Sequence, residues 1–159
     1  MDDDLREKDI NNARPVNILL VEDNEADVKI TLRAFAKSKI KSNMFVVNNG
    51  QDALDFIHHS GAYQDEGKYP RPDLVLLDIK MPKMDGFQFL EILKKDLEYS
   101  SIPVVMLTSS KTEEDIAKSF KYGAASFIQK PVSFEEFVKV VEKFNYYWYI
   151  INKLPSQFL

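Results

Sequence analysis

Five short apolar runs alternate with amphipathic segments along this chain, and that alternation restricts the fold more than any other feature. The most apolar run, residues 74–77, is bounded by Pro72 and Asp73 before it and by Asp78 after it. Four consecutive apolar residues between such boundaries indicate a strand that is buried on both faces. Strands of this kind that alternate with helices predict a parallel sheet covered by helices on both sides.

Four further runs complete the predicted sheet. They are residues 17–21, 44–47, 103–107 and 126–129. Between the strands, apolar residues recur every three or four positions, as they do on one face of a helix. The predicted helices pass through residues 28–35, 53–57, 87–93, 112–122 and from 133 onward. The polar stretch 60–71 contains two glycines and a proline, and it predicts an exposed loop.

Capping residues mark the ends of several predicted helices. Asn24 is the expected cap at the start of the first helix. Two pairs resemble capping boxes, namely Thr112 with Asp115 and Ser133 with Glu136. Gly123 is expected to end the fourth helix.

Composition excludes several classes of function. The 159 residues are 45% hydrophobic and 29% charged, which predicts one ordinary globular domain. The net charge of -4 gives no electrostatic reason to bind nucleic acid, and the absence of Cys rules out disulfides and thiolate chemistry. The acidic N-terminus has no apolar signal segment, and the apolar stretch 144–152 is far shorter than the about 20 residues of a membrane span. We therefore expect a cytoplasmic protein.

Polar side chains follow four of the five predicted strands at the point where each strand ends. Glu22 and Asp23 follow the first strand, Asp78 the third, Thr108 the fourth and Lys130 the fifth. The carboxyl ends of parallel strands lie at one edge of the sheet, where open α/β sheets bind their ligands. The sequence thus predicts that these five side chains meet in one crevice.

The chemistry of these five side chains suits a phosphoryl group. Three carboxylates in one place repel each other and favour a bound cation, and oxygen ligands with several waters suit Mg²⁺. An Asp carboxylate can accept a phosphoryl group covalently. A metal ion, the ammonium of Lys130 and the hydroxyl of Thr108 around Asp78 would neutralise the charge of that group.

The ordered set of motifs resembles the receiver domain of two-component response regulators. The matching motifs are Val21-Glu22-Asp23, Leu77-Asp78-Ile79-Lys80-Met81-Pro82, Asp85-Gly86, Leu107-Thr108-Ser109 and Lys130-Pro131. The resemblance implies a flavodoxin-like α/β fold, a doubly wound five-stranded parallel sheet of order 2-1-3-4-5 with five helices and an extended last helix. It places the receiver domain at residues 16–154, after a flexible acidic segment at 1–15 and before a tail at 155–159.

The resemblance also implies roles for the residues around Asp78. Asp78 would be phosphorylated by a sensor histidine kinase or a phosphotransfer protein. Asp23 and Asp78 would ligate Mg²⁺ directly and Glu22 through water, while the backbone carbonyl of Lys80 would be a further ligand. We also expect the Lys80 side chain to lengthen the phosphoryl lifetime by hindering the attack of water.

Three further residues are implied to act once Asp78 is phosphorylated. Thr108 and Lys130 would contact phosphoryl oxygens. Phe127 lies at the position of the family's switch aromatic, which turns inward when Thr108 moves toward the phosphoryl group. Because Phe127 has no hydroxyl, such a switch would rest on packing alone.

The loop at residues 60–71 and the aromatic C-terminus resemble the stand-alone regulators associated with phytochromes, which implies a phytochrome as a candidate kinase.

The last helix carries a stripe of large apolar residues, with tyrosines on its other faces. The stripe comprises Phe137, Val141, Phe144, Trp148 and Ile151. Aromatic residues on several faces suggest either a homodimer or kinase docking through this helix, and a tail folded onto its own domain is the alternative. The helix carries no dense Lys/Arg cluster, and this disfavours binding to a membrane surface.

Two other functions remain as alternatives. A pseudo-receiver would keep the fold and bind partners without phosphorylation. An enzyme on the same fold, a flavin carrier or a dehalogenase-like phosphatase, is disfavoured because no phosphate-cradling loop follows the first strand and because Lys80 stands where the phosphatase would have a second Asp. We therefore expect a signalling protein that is not a turnover enzyme, with only Mg²⁺-dependent self-phosphorylation and slow autodephosphorylation.

Overall fold

The computed structural model describes residues 14–38, 41–110, 112–130, 133–139 and 142–143. Five parallel strands within them form one sheet in the order β2-β1-β3-β4-β5. The strands are β1 (Val16–Val21), β2 (Ser42–Val47), β3 (Leu74–Leu77), β4 (Val104–Thr108) and β5 (Ser126–Gln129). This flavodoxin-like α/β arrangement confirms the predicted strand order.

Five α-helical segments cover the sheet within the described residues. Four of them are α1 (Glu25–Lys37), α2 (Gly50–Ile57), α3 (Gly86–Lys95) and α4 (Glu113–Lys121). The fifth segment, α5, comprises residues 134–139, and residues 142–143 are also helical. None of the helices in the described part of the chain is long and apolar enough to cross a lipid bilayer.

The core consists of two layers, one on each face of the sheet, because successive side chains of a strand point to opposite faces. In β1, Leu19 and Val21 contribute to the layer under α2 and α3, whereas Ile18 and Leu20 contribute to the layer under α1. Phe137 of α5 joins the second layer, where its ring meets that of Phe35 of α1 edge to face with centroids 6.4 Å apart. The other residues of the predicted α5 stripe lie outside the described residues, as does the tail.

The predicted caps of three helices are present. In each case the capping side chain accepts a hydrogen bond from the backbone N–H three residues on. The pairs are Asn24 with Asp27 at 3.0 Å, Thr112 with Asp115 at 3.2 Å and Ser133 with Glu136 at 3.1 Å. The carboxylate of Asp115 accepts a hydrogen bond from the Ser110 hydroxyl, and it thereby ties the loop after β4 to α4. Gly123 follows the end of α4 with a φ of 103°, as its predicted role requires.

Apart from shifts of one residue at the ends of β1 and β4, the structure departs from the sequence prediction at β2 and in the stretch 60–71. β2 begins at Ser42, two residues earlier than predicted, because an edge strand pairs through its backbone whatever its side chains, and Ser42 pairs with Val16. The stretch 60–71 is not simply an exposed loop. It contains a 3-10 turn at Gly61–Tyr63, and its two tyrosines, Tyr63 and Tyr69, pack against Phe56 of α2.

Candidate functional site

The register of the sheet brings the ends of β1 and β3 side by side. Val21 pairs with Leu77, so the residues that follow them, Glu22 and Asp78, are neighbours. Glu22, Asp23 and Asp78 each offer a carboxylate oxygen, and these oxygens all lie within 4.8 Å of one another. The structure therefore forms the acidic cluster that the strand ends predict.

Asp78 is held in the crevice by its backbone and by one of its two carboxylate oxygens. Its N–H donates to the Val21 carbonyl at 3.1 Å, and its Oδ1 accepts from the N–H of Ile79 at 2.8 Å. The other oxygen, Oδ2, lies 3.8 Å from the ammonium of Lys130. The residue is only 8% exposed. Asp78 thus presents Oδ2 in a fixed, largely desolvated position.

Glu22 is more deeply buried than Asp78, at 1% exposure. Its Oε1 accepts from the N–H of Asn24 at 3.0 Å, and its Oε2 accepts from the ammonium of Lys130 at 2.6 Å. Burial raises the pKa of Glu22 to about 7, although the hydrogen bonds from Lys130 and Asn24 act in the opposite direction. Negative charge on Asp78 adds to the rise, so this cluster favours an added positive charge.

Lys130 joins the acidic cluster to the first turn of α1. Its ammonium donates to Glu22 and also to Oδ2 of Asp27, the latter at 2.8 Å. Burial lowers the pKa of Lys130, but the hydrogen bonds to Asp27 and Glu22 and the charge of Asp78 outweigh it, and the net shift is upward. Lys130 therefore carries a positive charge at the site, and Glu22 and Asp27 are its two nearest partners.

Thr108 ends β4 and is 1% exposed. Its carbonyl accepts from the N–H of Lys130 at 2.7 Å, and its hydroxyl oxygen accepts from the N–H of Ser110 at 3.4 Å. Phe127 lies on the neighbouring strand, β5, where it is half-buried against the core layer under α2 and α3. Thr108 thus lies at the end of β4 beside the backbone of Lys130, whereas Phe127 pairs with Met106, two residues before Thr108, and is partly exposed.

The donor set of the cluster fits a hard divalent cation, since it consists of oxygen atoms alone. Asp23 is exposed at the mouth of the crevice, and Oδ2 of Asp78 takes none of the backbone hydrogen bonds that hold the residue. Both oxygens of Glu22 already accept hydrogen bonds, from Lys130 and Asn24. This arrangement suits direct ligation by the two aspartates and a more distant role for Glu22.

The chain matches the family model described as the response regulator receiver domain over residues 18–142, which is most of its length. The chain belongs to this family. It is therefore a receiver domain, a phosphoacceptor module of two-component signalling.

Two relatives match this receiver domain over most of their own length. The probable methanogenesis regulatory protein FilR2 of Methanothrix harundinacea is 35% identical over 143 residues, which is 89% of each chain. Response regulator Rcp1 of Synechocystis is 32% identical over 142 residues, 89% of this chain and 95% of Rcp1.

Solved structures show the same similarity. The crystal structure of the phosphorylated cyanobacterial phytochrome response regulator RcpA has a TM-score of 0.78 at 33% identity, and the match covers 90% of this receiver domain and 100% of the RcpA chain. The Mn²⁺-bound form of Rcp1 has a TM-score of 0.76 at 32% identity, with 89% and 100% of the two chains covered.

Asp27 is the residue of the receiver site that the sequence analysis missed. An acidic residue in the first turn of a helix is common because the helix dipole favours it there, and it needs no other explanation. Lys130, its partner, is 103 residues away in the chain. Asp27 lies three residues after the Asn24 cap, at the end of α1 nearest the site, and this position is the signal that could have identified Asp27.

Lys80 is exposed, two residues after Asp78. Its position is compatible with the expected backbone ligand and with a side chain at the rim of the crevice.

Proposed function

We propose that this protein is a single-domain response regulator of a two-component phosphorelay, which accepts a phosphoryl group on Asp78 and signals by protein-protein contact. The observation that carries the proposal is the setting of Asp78, a buried carboxylate whose Oδ1 is fixed by Ile79 and whose Oδ2 lies toward Lys130. The match to 95% of the response regulator Rcp1 supports the assignment to response regulators.

The transfer step moves one phosphoryl group. Oδ2 of Asp78 attacks the phosphorus of a phosphohistidine on the donor protein, an O–P bond forms and the N–P bond breaks. The donor imidazole leaves and takes a proton from solvent. Slow hydrolysis reverses the modification, since a water oxygen attacks the same phosphorus and returns Asp78 as a carboxylate with free phosphate. No other substrate is consumed, so the protein acts as a phosphoacceptor and not as a turnover enzyme.

Mg²⁺ is the cofactor that this proposal requires. Asp23 and Asp78 would hold it directly, Glu22 through water and Lys80 through its backbone carbonyl. When bound, the ion neutralises negative charge on the phosphoryl oxygens. The acidic cluster of this chain supports the assignment, and so does the Mn²⁺ in the structure of its relative Rcp1.

Lys130 and Thr108 are the proposed contacts of the phosphoryl oxygens. The ammonium of Lys130 already lies 3.8 Å from Oδ2 of Asp78, within reach of a group attached to that oxygen. We also assign Thr108 and Phe127 to a switch, in which Thr108 moves toward the phosphoryl group and Phe127 turns inward. Partial burial of Phe127 leaves it room to become more buried.

The proposed donor is a cytoplasmic sensor histidine kinase, with a phytochrome as the first candidate, or a phosphotransfer protein. Similarity to the cyanobacterial phytochrome response regulator RcpA supports a phytochrome. A homodimer through the last helix is part of the proposal. Light scattering on a sizing column, with and without beryllofluoride as a phosphoryl mimic, tests whether phosphorylation changes the oligomeric state.

Intact mass after incubation with acetyl phosphate and Mg²⁺ tests the central claim. We expect the wild-type protein to gain the mass of one phosphoryl group and Asp78→Asn to gain none. Asp85→Asn is the matched control, because Asp85 is also a carboxylate near the site but serves to cap α3, a role that Asn fulfils equally well. This control should be phosphorylated like the wild type.

Two results would overturn the proposal. If Asp78→Asn gains the group as well, the phosphoacceptor is another residue. If the wild-type protein gains no group from acetyl phosphate or from a histidine kinase, and binds no beryllofluoride with Mg²⁺, the chain is a pseudo-receiver that binds partners without phosphorylation.

A further inference from the structure

Lys130 forms ion pairs with both the acidic cluster and helix α1. Its ammonium lies 2.6 Å from Glu22 and 2.8 Å from Asp27, but 3.8 Å from Oδ2 of Asp78. Glu22 belongs to the acidic cluster, whereas Asp27 belongs to α1 and is not part of that cluster. Asp27 thus draws the ammonium toward the helix and away from the oxygen that would carry the phosphoryl group.

We propose that Asp27 is a positioning residue that competes with the phosphoryl group for Lys130 and so limits how readily Asp78 becomes and stays phosphorylated. The inference rests on the proposed phosphorylation of Asp78. It adds a residue of α1 that touches neither the phosphoryl group nor the metal, and that acts through Lys130.

The backbone of Asp27 is held firmly enough for this role. Its N–H donates to the side chain of Asn24 at 3.0 Å, and its carbonyl accepts from the hydroxyl of Thr31 at 2.8 Å. Both bonds belong to the first turns of α1, so the carboxylate projects from a fixed point. Asp27 is partly exposed, at 32% of its side chain, whereas Lys130 is 12% exposed.

A phosphoryl group on Asp78 would add negative charge beside Lys130, whose ammonium lies 3.8 Å from Oδ2. Lys130 can satisfy only a limited number of acceptors at close range, since an ammonium has three N–H groups. Contact with the phosphoryl oxygens therefore competes with the pair to Asp27. Loss of the Asp27 charge frees Lys130 to contact the phosphoryl oxygens. The phosphorylated state and the beryllofluoride-bound state are then both more stable.

The test compares Asp27→Asn with two other variants. Glu25→Gln removes one negative charge from the same turn of α1, and no ion pair with Lys130 is lost. Asp27→Glu keeps the charge and allows the pair to Lys130 to form again. For each protein, Mg²⁺ alone is titrated first, so that beryllofluoride affinity is measured by calorimetry at saturating Mg²⁺. The rate of phosphorylation by acetyl phosphate is measured in parallel.

We expect Asp27→Asn to bind beryllofluoride roughly threefold to tenfold more tightly than the wild type, the size of a partly exposed charged hydrogen bond. It should also accept the phosphoryl group faster by a similar factor. Glu25→Gln and Asp27→Glu should resemble the wild type. A second readout is the ¹⁵N resonance of the Lys130 ammonium, which should move in Asp27→Asn before any ligand is added.

Three results would overturn the inference. One is no gain in Asp27→Asn, and another is an equal gain in Glu25→Gln, which would show a general effect of charge. The third is an unchanged Lys130 resonance in Asp27→Asn. In all three cases a wild-type protein that binds beryllofluoride leaves the proposed function standing. A wild-type protein that accepts neither beryllofluoride nor phosphoryl refutes the proposed function and this inference together.

Discussion

Gly86, the first residue of α3, lies directly against the backbone of Asp78. A β-carbon on Gly86 would lie 2.2 Å from the carbonyl oxygen of Asp78, far inside van der Waals contact. The N–H of Gly86 also donates to the carbonyl of Ile79 at 2.8 Å. The start of α3 is thus packed against the end of β3, and the absence of a side chain at position 86 helps to fix the residue proposed as phosphoacceptor.

Gly86→Ala is therefore expected to disrupt both the fold and the site. The added methyl group meets backbone atoms, which cannot swing aside as a side chain can. We expect the free energy of unfolding to fall by roughly 2 to 4 kcal/mol, as for an overpacked interior position. Urea unfolding measures the loss, and beryllofluoride binding should weaken in the folded fraction.

Gly67→Ala is the control for this substitution. The nearest atom to a β-carbon at Gly67 is Oδ1 of Asp65, at 3.3 Å, which is the end of an exposed side chain and not a backbone atom. This variant should stay within about 0.5 kcal/mol of the wild type. Equal losses in the two variants would show that the contact with Asp78 is not the cause.

The strands and the acidic cluster could be predicted because their signals are local. Each strand contains a short apolar run, and each predicted site residue lies at the end of a strand or just after it, so a parallel sheet brings them together without further information. The end of β3 shows this well, since Leu77 is buried in the core and Asp78, the next residue, lies in the crevice.

Contacts that involve residues away from the strand ends could not be predicted. Asp27 looks like an ordinary acidic residue at a helix start, and its partner Lys130 becomes visible only when β5 and α1 are placed together. The same holds for Tyr63 and Tyr69, because a polar loop with glycines carries no periodicity that would show which of its side chains turn inward.

Tyr69 is expected to stabilise the segment between α2 and β3. Its ring meets those of Phe56 and Tyr63 edge to face, with centroids 5.6 Å and 5.0 Å apart, and its carbonyl accepts from Nε2 of His59 at 2.7 Å. Tyr69→Ala should lower the free energy of unfolding by roughly 2 to 3 kcal/mol, through lost aromatic contact and burial. Chemical denaturation gives this value.

Gln64→Ala provides the comparison, because Gln64 lies in the same segment and is exposed. It should leave stability within about 0.5 kcal/mol of the wild type. Limited proteolysis adds a local readout, and Tyr69→Ala should be cleaved faster within residues 60–71. A Tyr69→Ala protein as stable and as resistant as Gln64→Ala would show that the loop is only a polar connection.

Asp96 is expected to give the protein a dependence of stability on acid pH. The hydrogen bond from His58, at 2.8 Å, lowers the pKa of Asp96, and the N–H of Glu98 adds to the effect. Since the pKa is lower in the folded state than in the unfolded chain, Asp96 stabilises the fold above about pH 4, and this contribution is lost as the pH falls through the folded value.

Asp96→Asn tests this dependence, since the amide oxygen can still accept from Glu98 but carries no charge. Its stability should lie below that of the wild type near neutral pH, and the gap should close as urea unfolding is repeated from about pH 6 to about pH 3. Glu91→Gln, which removes an exposed charge paired with Lys95 on the same helix, should show little gap at any pH. A gap in Asp96→Asn that persists unchanged in acid would rule out the charge as its source.

Lys80 is expected to slow the loss of the phosphoryl group. It is exposed two residues after Asp78, where a long side chain can lie across the path of a water molecule that approaches the phosphorus in line with the bond to be broken. Lys80→Ala removes that obstacle, and we expect the phosphorylated protein to decay roughly threefold faster, a change of less than the 1.4 kcal/mol that corresponds to tenfold. The decay is followed by intact mass after the phosphoryl donor is removed, in the presence of Mg²⁺.

Lys121→Ala provides the control, since it removes an exposed positive charge at the end of α4, and its phosphorylated form should decay at the wild-type rate. Decay that is unchanged or slower in Lys80→Ala would mean that this side chain leaves the path of water open.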